Sequence, residues 1–278
     1  MAHGTGRPLV SVIIPNYNYA KYISATISSV LAQTYSNTEI IVVDDGSVDS
    51  SVEIIESFSK RISLFVTSNK GACHARNFGT LKSRGEFIAY LDADDVWLPQ
   101  KLETQIKVIM KENSDVVYSD YSLFEEHSEI ATQIDSMKEV SHNLFWIKPS
   151  STPIIPSTAL IRRDFFAMVG GWNTSLNSPS EDFDFFRKCI KFGKVSYVKD
   201  YSTLKRVHKT SLSAKDFNRY FQDNVQAVRI MLAEDSSKLT FVNRLFIWNR
   251  LHAVYLKQIL KGQKFRSLKL WLFSYLKI

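Results

Sequence analysis

Short apolar runs alternate with stretches of helical spacing across the first 120 or so positions. Residues 9–14 (Leu-Val-Ser-Val-Ile-Ile) form a β-branched run that Pro15 is expected to stop. Ile23, Ile27, Val30 and Leu31 then recur at i, i+4, i+7 and i+8, one face of a helix. Residues 39–43 read as a second strand. Asp49 or Ser50 can cap a helix through Phe58. A third strand is expected over 62–66, a helix over 71–82, a fourth strand over 87–91, and a fifth over 115–121. Pro99 suits the first turn of a helix through about Lys111, where a missing N–H costs nothing. Strand and helix alternate throughout, which predicts an α/β fold with a mainly parallel, Rossmann-like sheet flanked by helices.

Beyond Tyr121 the periodicity weakens. Residues 122–156 mix polar, aromatic and proline residues and predict no regular element. Residues 157–161 suggest a strand, 163–169 a short helix ending at Gly170-Gly171, 181–192 a helix, and 195–198 a last strand. From Ala214 the spacing is helical again, with Phe241, Leu245, Trp248, Leu251, Tyr255 and Ile259 on one stripe. The pattern therefore divides the chain into an α/β unit over 1–213 and a helical extension over 214–278.

Composition sharpens this division. The chain has 278 residues, 45% hydrophobic and 13% aromatic, enough for a substantial core. Net charge is +7, but nine basic residues and no acidic one lie in 236–278, which leaves 26 basic against 28 acidic groups elsewhere. The positive excess belongs to the extension alone. A basic segment rich in Trp, Leu and Phe suits an anionic lipid surface, and equally packing on the α/β unit or on a second subunit; oligomeric state is left open. No run of about 18 apolar residues is present, so no spanning helix is expected. Residues 1–8 lack the apolar core of a secretory signal, and Cys73 and Cys189 are expected as reduced thiols of a cytoplasmic protein.

The chemistry gathers where the apolar runs end. One run leads into Asp44-Asp45-Gly46-Ser47, another into Asp92-Ala93-Asp94-Asp95, and a third acidic pair, Glu181-Asp182, lies downstream. Open α/β sheets bind ligands at the carboxyl ends of their strands. Crowded carboxylates repel unless a cation joins them, and a hard divalent ion bridging to phosphate answers that need. The first strand ends in Pro15-Asn16-Tyr17-Asn18 rather than Gly-x-Gly-x-x-Gly, which disfavours a dinucleotide fold. An aromatic ring there can stack on a nucleobase or simply pack in a loop. Asp45 can accept a base N–H or close an Asx turn. Alternation along an extended strand would turn Asp92 and Asp94 to one side. Glu181-Asp182 can serve as proton acceptors or as the acidic first turn of a helix.

Five segments in order, Val10-Ser-Val-Ile-Ile-Pro-Asn-Tyr-Asn18, Val43-Asp-Asp-Gly-Ser-Val-Asp49, Asn69-Lys-Gly-Ala-Cys-His-Ala-Arg-Asn77, Leu91-Asp-Ala-Asp-Asp95 and Ser180-Glu-Asp-Phe-Asp184, resemble the inverting glycosyltransferases of family 2. The resemblance is strong over 8–120, thinner over 157–213, and absent beyond. It implies a GT-A fold and transfer of a sugar from a nucleotide-sugar, a UDP-sugar first, to a hydroxyl on a glycan or lipid-linked acceptor. It implies Tyr17, Pro15 and Asp45 around uracil, Arg76 near phosphate or ribose, and Asp92 near the ribose. It implies Asp94 on a Mn2+ or Mg2+ ion with His208 beside it, Asp182 as base, and Glu181 orienting a sugar. Trp172 is either a platform for the sugar ring or a packing residue. The Gln-x-x-Arg-Trp signature of processive relatives is missing, which implies one sugar per event. Cell-surface polysaccharide or lipopolysaccharide assembly at the inner membrane face is the implied setting. Two other readings remain at this point: an inactive nucleotide-sugar-binding module, and nucleic-acid binding through the basic extension. The slightly acidic remainder argues against nucleic acid.

Overall fold

Strand β1 (Val10–Asn16) is almost wholly buried, as an unbroken apolar run in a sheet covered on both faces requires. The computed structural model describes residues 7–125, 132–135, 154–176 and 180–208, together with residues 230, 233 and 234. β1 pairs in parallel with β2 (Thr38–Asp44) on one side and β4 (Phe87–Tyr90) on the other, and β2 continues to β3 (Ser63–Val66). Beyond β4 come β9 (Ala159–Arg162), β6 (Val116–Ser119) and β10 (Val195–Val198), completing seven strands in the order β10-β6-β9-β4-β1-β2-β3.

Side-chain alternation splits the core into two layers. Val10, Val12 and Ile14 of β1 pack with Ile23 and Ile27 of α1 (Ile23–Leu31) and with Leu102 and Ile106 of α4 (Lys101–Glu112). Ile13, between them in sequence, faces the other way. It joins Tyr90, Phe165 of α5 (Arg163–Met168), and Phe185 and Phe186 of α6 (Ser180–Phe192). Ile41 and Val43 of β2 meet Ala75 of α3 (Ala72–Lys82) on that same side. The short α2 (Ser51–Glu56) is steadied by Asp49, whose carboxylate accepts the Ser51 N–H at 3.0 Å. Cys73 and Cys189 are buried free thiols, as expected.

Three features depart from the sequence reading. β1 runs through Pro15 to Asn16, because the proline lies where the strand is ending. The expected strand over 115–121 divides at Asp120, which is fully buried and accepts the Tyr197 hydroxyl at 2.6 Å. Its second part, β7 (Tyr121–Phe124), enters a separate four-stranded sheet with β5 (Val96–Trp97), β11 (Thr203–Arg206) and β8 (Thr132–Ile134), in the order β5-β11-β7-β8. Strands of two to four residues are too short to reveal a period. Finally, residues 156–158 form a 3-10 turn before β9, and β9 runs antiparallel to both neighbours. That reversal brings the start of β9, and Ser157, to the edge where β1, β2 and β4 end.

The expected extension over 214–278 lies outside the described residues apart from positions 230, 233 and 234. Glu234 pairs with Arg187 and lies 3.8 Å from the Lys188 ammonium, both on α6. Among the described residues, no helix is long and apolar enough to cross a membrane.

Gly85 marks the tightest approach in the sheet. A methyl group there would lie 2.5 Å from Ser11 Oγ, 2.6 Å from Ser11 N and 2.8 Å from Leu9 O, and two of these atoms are backbone. Gly85→Ala should therefore destabilise the fold by about 1–3 kcal/mol through overpacking. Urea unfolding should show a lower midpoint with an unchanged slope; an unchanged midpoint would contradict this packing.

Candidate active site

The carboxyl ends of β1 and β2 are stitched together by side chains. Asn16 Nδ2 donates to Asp44 Oδ2 at 2.6 Å, and Asp44 also accepts the Ser47 N–H at 2.8 Å and the Ser47 hydroxyl at 2.7 Å. Asp44 is thus a structural pin, fully buried. Asp45 turns toward α3. Its carboxylate accepts Thr67 Oγ1 at 2.9 Å, Lys70 N at 2.9 and 3.0 Å, and Gly71 N at 2.6 Å. The resemblance sets Asp45 against uracil; in the structure its bonds go to the loop that opens α3, where a negative charge is also favoured by the helix dipole. Gly71 takes φ +93 as that loop turns into the helix, a conformation suited to glycine. Just past the end of β1, Tyr17 leaves 41% of its surface exposed, and Pro15 is half-buried.

Arg76, one turn into α3, is the hub of the site. It is buried rather than solvated at the surface. Nη2 lies 2.9 Å from Asp92 Oδ1, and Nη1 lies 3.5 Å from Glu181 Oε1 and 4.0 Å from Asp182 Oδ1. The guanidinium rests over the Trp172 ring, 4.7 Å from its centroid. Trp172 is in turn stacked on Phe185 and edge-on to Tyr90, and its backbone is clamped by both polar atoms of Asn77. With 2% of its surface exposed, Trp172 is a floor for Arg76 rather than an open platform for a sugar.

Asp92 and Asp94 lie in a turn, closed by Asp95 N–H to Asp92 O at 3.0 Å, and not on an extended strand. The strand-alternation argument therefore does not apply to them. Asp94 Oδ2 meets His208 Nε2 at 2.9 Å, just past the end of β11, with the Tyr22 ring 4.9 Å from the imidazole. Asp95 serves the scaffold: it accepts Ser157 Oγ at 2.7 Å and Arg206 N at 3.1 Å. Ser157 also accepts the Asp92 N–H at 3.2 Å on its hydroxyl, while its carbonyl takes Trp97 Nε1 and Thr203 Oγ1. The structure thus joins Asp92, Arg76, Glu181 and Asp182 in one group and Asp94 with His208 in another, with the turn linking the two.

Electrostatics follow from this crowding. Burial, then Glu181, pushes the Asp182 carboxyl well above the usual carboxylate range; burial also raises Glu181, against the pull of Arg76. Burial and Asp92 raise Asp94, and burial with Asp94 and Asp92 raises Asp95 further. Burial opposes charge on Arg76, yet Asp92, Asp182 and Glu181 outweigh it and hold the guanidinium protonated. Lys205 on β11, half-buried, is held protonated in the same way by Asp95, Asp92 and Asp182. Ser157 and Lys205 were not read as site residues. Ser157 opens the run 157–161 that reads only as a strand, and Lys205 is the strand neighbour, two positions on, of the buried Thr203.

Among the described residues, no three His, Cys, Asp or Glu side chains converge as a ready cation cage. Asp94 with His208 is a two-ligand set. That fits an ion that takes few protein ligands and completes its shell with substrate phosphate.

The sequence profile described as glycosyl transferase family 2 matches residues 11–170. The chain belongs to glycosyl transferase family 2. An uncharacterised glycosyltransferase of Rickettsia typhi is 35% identical over 226 residues, covering 75% of this chain and 67% of that protein. In a longer Rickettsia felis relative the match covers 37%. The Escherichia coli enzyme WfgD, a UDP-Glc:alpha-D-GlcNAc-diphosphoundecaprenol beta-1,3-glucosyltransferase, is 42% identical over 137 residues, 49% of this chain and 54% of that one. Among solved structures, S. aureus TarS in complex with UDP-GlcNAc superposes with a TM-score of 0.63 at 20% identity, covering 88% of this chain and 80% of the other. The mannosyltransferase PcManGT of Pyrobaculum calidifontis, in complex with GDP-Man and Mn2+, gives 0.57 at 17% identity, covering 97% and 86%. The fold of this glycosyltransferase is accordingly GT-A: a large, mostly parallel sheet flanked by helices.

The acid pair makes stability depend on pH. Because Glu181 and Asp182 titrate above their unfolded values, near 4, the folded family 2 chain holds more protons than the unfolded one above that pH. Its stability from these groups is present at low pH and is lost as pH rises through their folded values. Asp182→Asn should therefore flatten the fall in urea midpoint as pH rises from about 4. A wild-type slope in the variant would show that Asp182 is not held in this way.

Proposed function

We propose that this glycosyltransferase moves a sugar, with inversion, from a UDP-sugar to an acceptor hydroxyl. The observation that carries the reading is the joined set of Asp92, Arg76, Glu181 and Asp182 beside the Asp94–His208 pair. In a single displacement the acceptor oxygen bonds to the anomeric carbon as the bond from that carbon to the diphosphate oxygen breaks. The hydroxyl proton passes to Asp182, and the bonding electrons leave with the nucleoside diphosphate. An enclosed carboxylate with a raised proton affinity is suited to accept that proton near neutral pH. Glu181, beside it, orients a sugar hydroxyl.

On the donor side, Tyr17 offers an exposed ring for the base, with Pro15 just before it in the chain and Asp45 fixing the adjoining loop. Asp92 lies toward the ribose. A Mn2+ or Mg2+ ion would be held by Asp94 with His208, and when bound it would supply positive charge to the diphosphate. The half-buried Lys205 adds a second cation on that side.

The activity of the relative WfgD supports a UDP-sugar donor and a lipid-linked acceptor, and the UDP-GlcNAc complex of TarS and the Mn2+ complex of PcManGT support donor and metal. We accordingly place the chain in cell-surface polysaccharide or lipopolysaccharide assembly, on the cytoplasmic side, with the basic segment 236–278 against anionic lipid.

Two substitutions test the chemistry. Asp94→Asn should weaken UDP binding in the presence of Mn2+ by about tenfold or more in calorimetry, and unchanged binding would remove the metal role. Asp182→Asn should retain UDP binding and lose transfer by about a hundredfold or more; near-normal turnover of a UDP-sugar would remove it as base.

A further inference from the structure

Arg76 has more to do than meet a donor phosphate. Its two terminal nitrogens divide between partners on different elements: Asp92 in the turn after β4, and Glu181 with Asp182 in the first turn of α6. Only a planar fork spans both sides at once; a lysine ammonium is a single point. Its stem rises from α3, and its face lies on Trp172, which Asn77 and Phe185 hold in place, so the fork is rigid. Nε and Nη1 of Arg76, Oε2 of Glu181 and Oδ1 of Asp182 are buried without a hydrogen-bond partner among the described residues. Nη1 meets Glu181 Oε1 at 3.5 Å and Asp182 Oδ1 at 4.0 Å as ion pairs, an attraction carried mainly by charge.

We infer that Arg76 is a positioning residue for the transfer step, registering the proton-accepting end of α6 against the donor-side turn and keeping Asp182 ionised enough to receive a proton. The inference rests on the reading of Asp182 as base. The groups that face Asp182 are Glu181 from its own helix, Arg76 from α3, Asp92 from the turn and Lys205 from β11. Two of these are anions and two are cations, so among the described residues removing Arg76 leaves Lys205 as the cation facing it. Burial already favours the protonated acid.

Two variants read this out through kcat, donor KM and the pH dependence of kcat with a UDP-sugar donor, and through calorimetry with UDP. In Arg76→Gln the acid limb of kcat should move up by about one pH unit or more, while UDP affinity changes less than kcat. In Arg76→Lys the charge is kept, so the limb should stay near its wild-type position. Its kcat should nonetheless fall by about tenfold to a hundredfold, with donor KM little changed, because the span between the two sides is lost. Should Arg76→Gln fail to fold, the kcat against KM split in Arg76→Lys decides. Losses confined to donor KM and UDP affinity would make Arg76 a donor contact and overturn the inference, as would wild-type kcat in Arg76→Lys. An unmoved acid limb in folded Arg76→Gln would overturn it too. If Asp182→Asn abolishes transfer while the arginine variants behave in any of those three ways, the base reading stands and this one fails. If Asp182→Asn turns over normally, the base reading itself has failed.

Discussion

Five carboxylates, Asp92, Asp94, Asp95, Glu181 and Asp182, share one edge of one sheet, and confining that much like charge is the constraint on which the rest of the structure depends. Each carboxylate is answered differently. Asp95 receives a hydroxyl and a backbone N–H. Asp94 meets an imidazole. Asp92, Glu181 and Asp182 share one guanidinium. One fork among three anions stabilises the arginine fully and the acids only in part, and so the acid pair keeps a high affinity for protons. Incomplete compensation of this kind is costly to a fold, and it would suit the proton uptake proposed for Asp182.

The scaffold divides the acidic residues by role. Asp44 and Asp45 adjoin in sequence, yet one fastens β1 to β2 and the other fastens the entry to α3. Asp94 and Asp95 adjoin as well, one turned to His208 and the other to Ser157 and β11. In each pair, neighbouring side chains serve different partners. The antiparallel β9 completes this scheme. It delivers Ser157, whose hydroxyl and carbonyl together contact the aspartate turn, β5 and β11.

Much of the frame was legible in the sequence, because β1, β2, β4, α1 and α3 carry long apolar runs or clear helical spacing whose burial is set locally. β10 was legible for the same reason. The second sheet was not: Val96–Trp97 and Thr132–Ile134 hold too few residues to display a period, and they become strands through partners far along the chain. The direction of β9 was equally hidden, since a single strand carries no mark of its orientation. At the site, residue types in motifs pointed to Arg76, Asp92, Asp94, Glu181, Asp182 and His208. What they could not convey was who bonds to whom. Burial of Arg76 on Trp172, and the engagement of Asp45 with Lys70 and Gly71, depend on how α3 lies across the sheet.

Arg187 is wholly enclosed on the helix whose first turn bears the acid pair, and Glu234 reaches it from 47 positions downstream. Glu234 thereby supplies an anion to an interior guanidinium. Cutting the chain ahead of that glutamate would take one counter-ion away from a charge that has no route to solvent, and the packing around α6 would suffer. The basic segment 236–278 begins just past it, so a cut at the change in charge keeps this pair, whereas a cut at 213 breaks it.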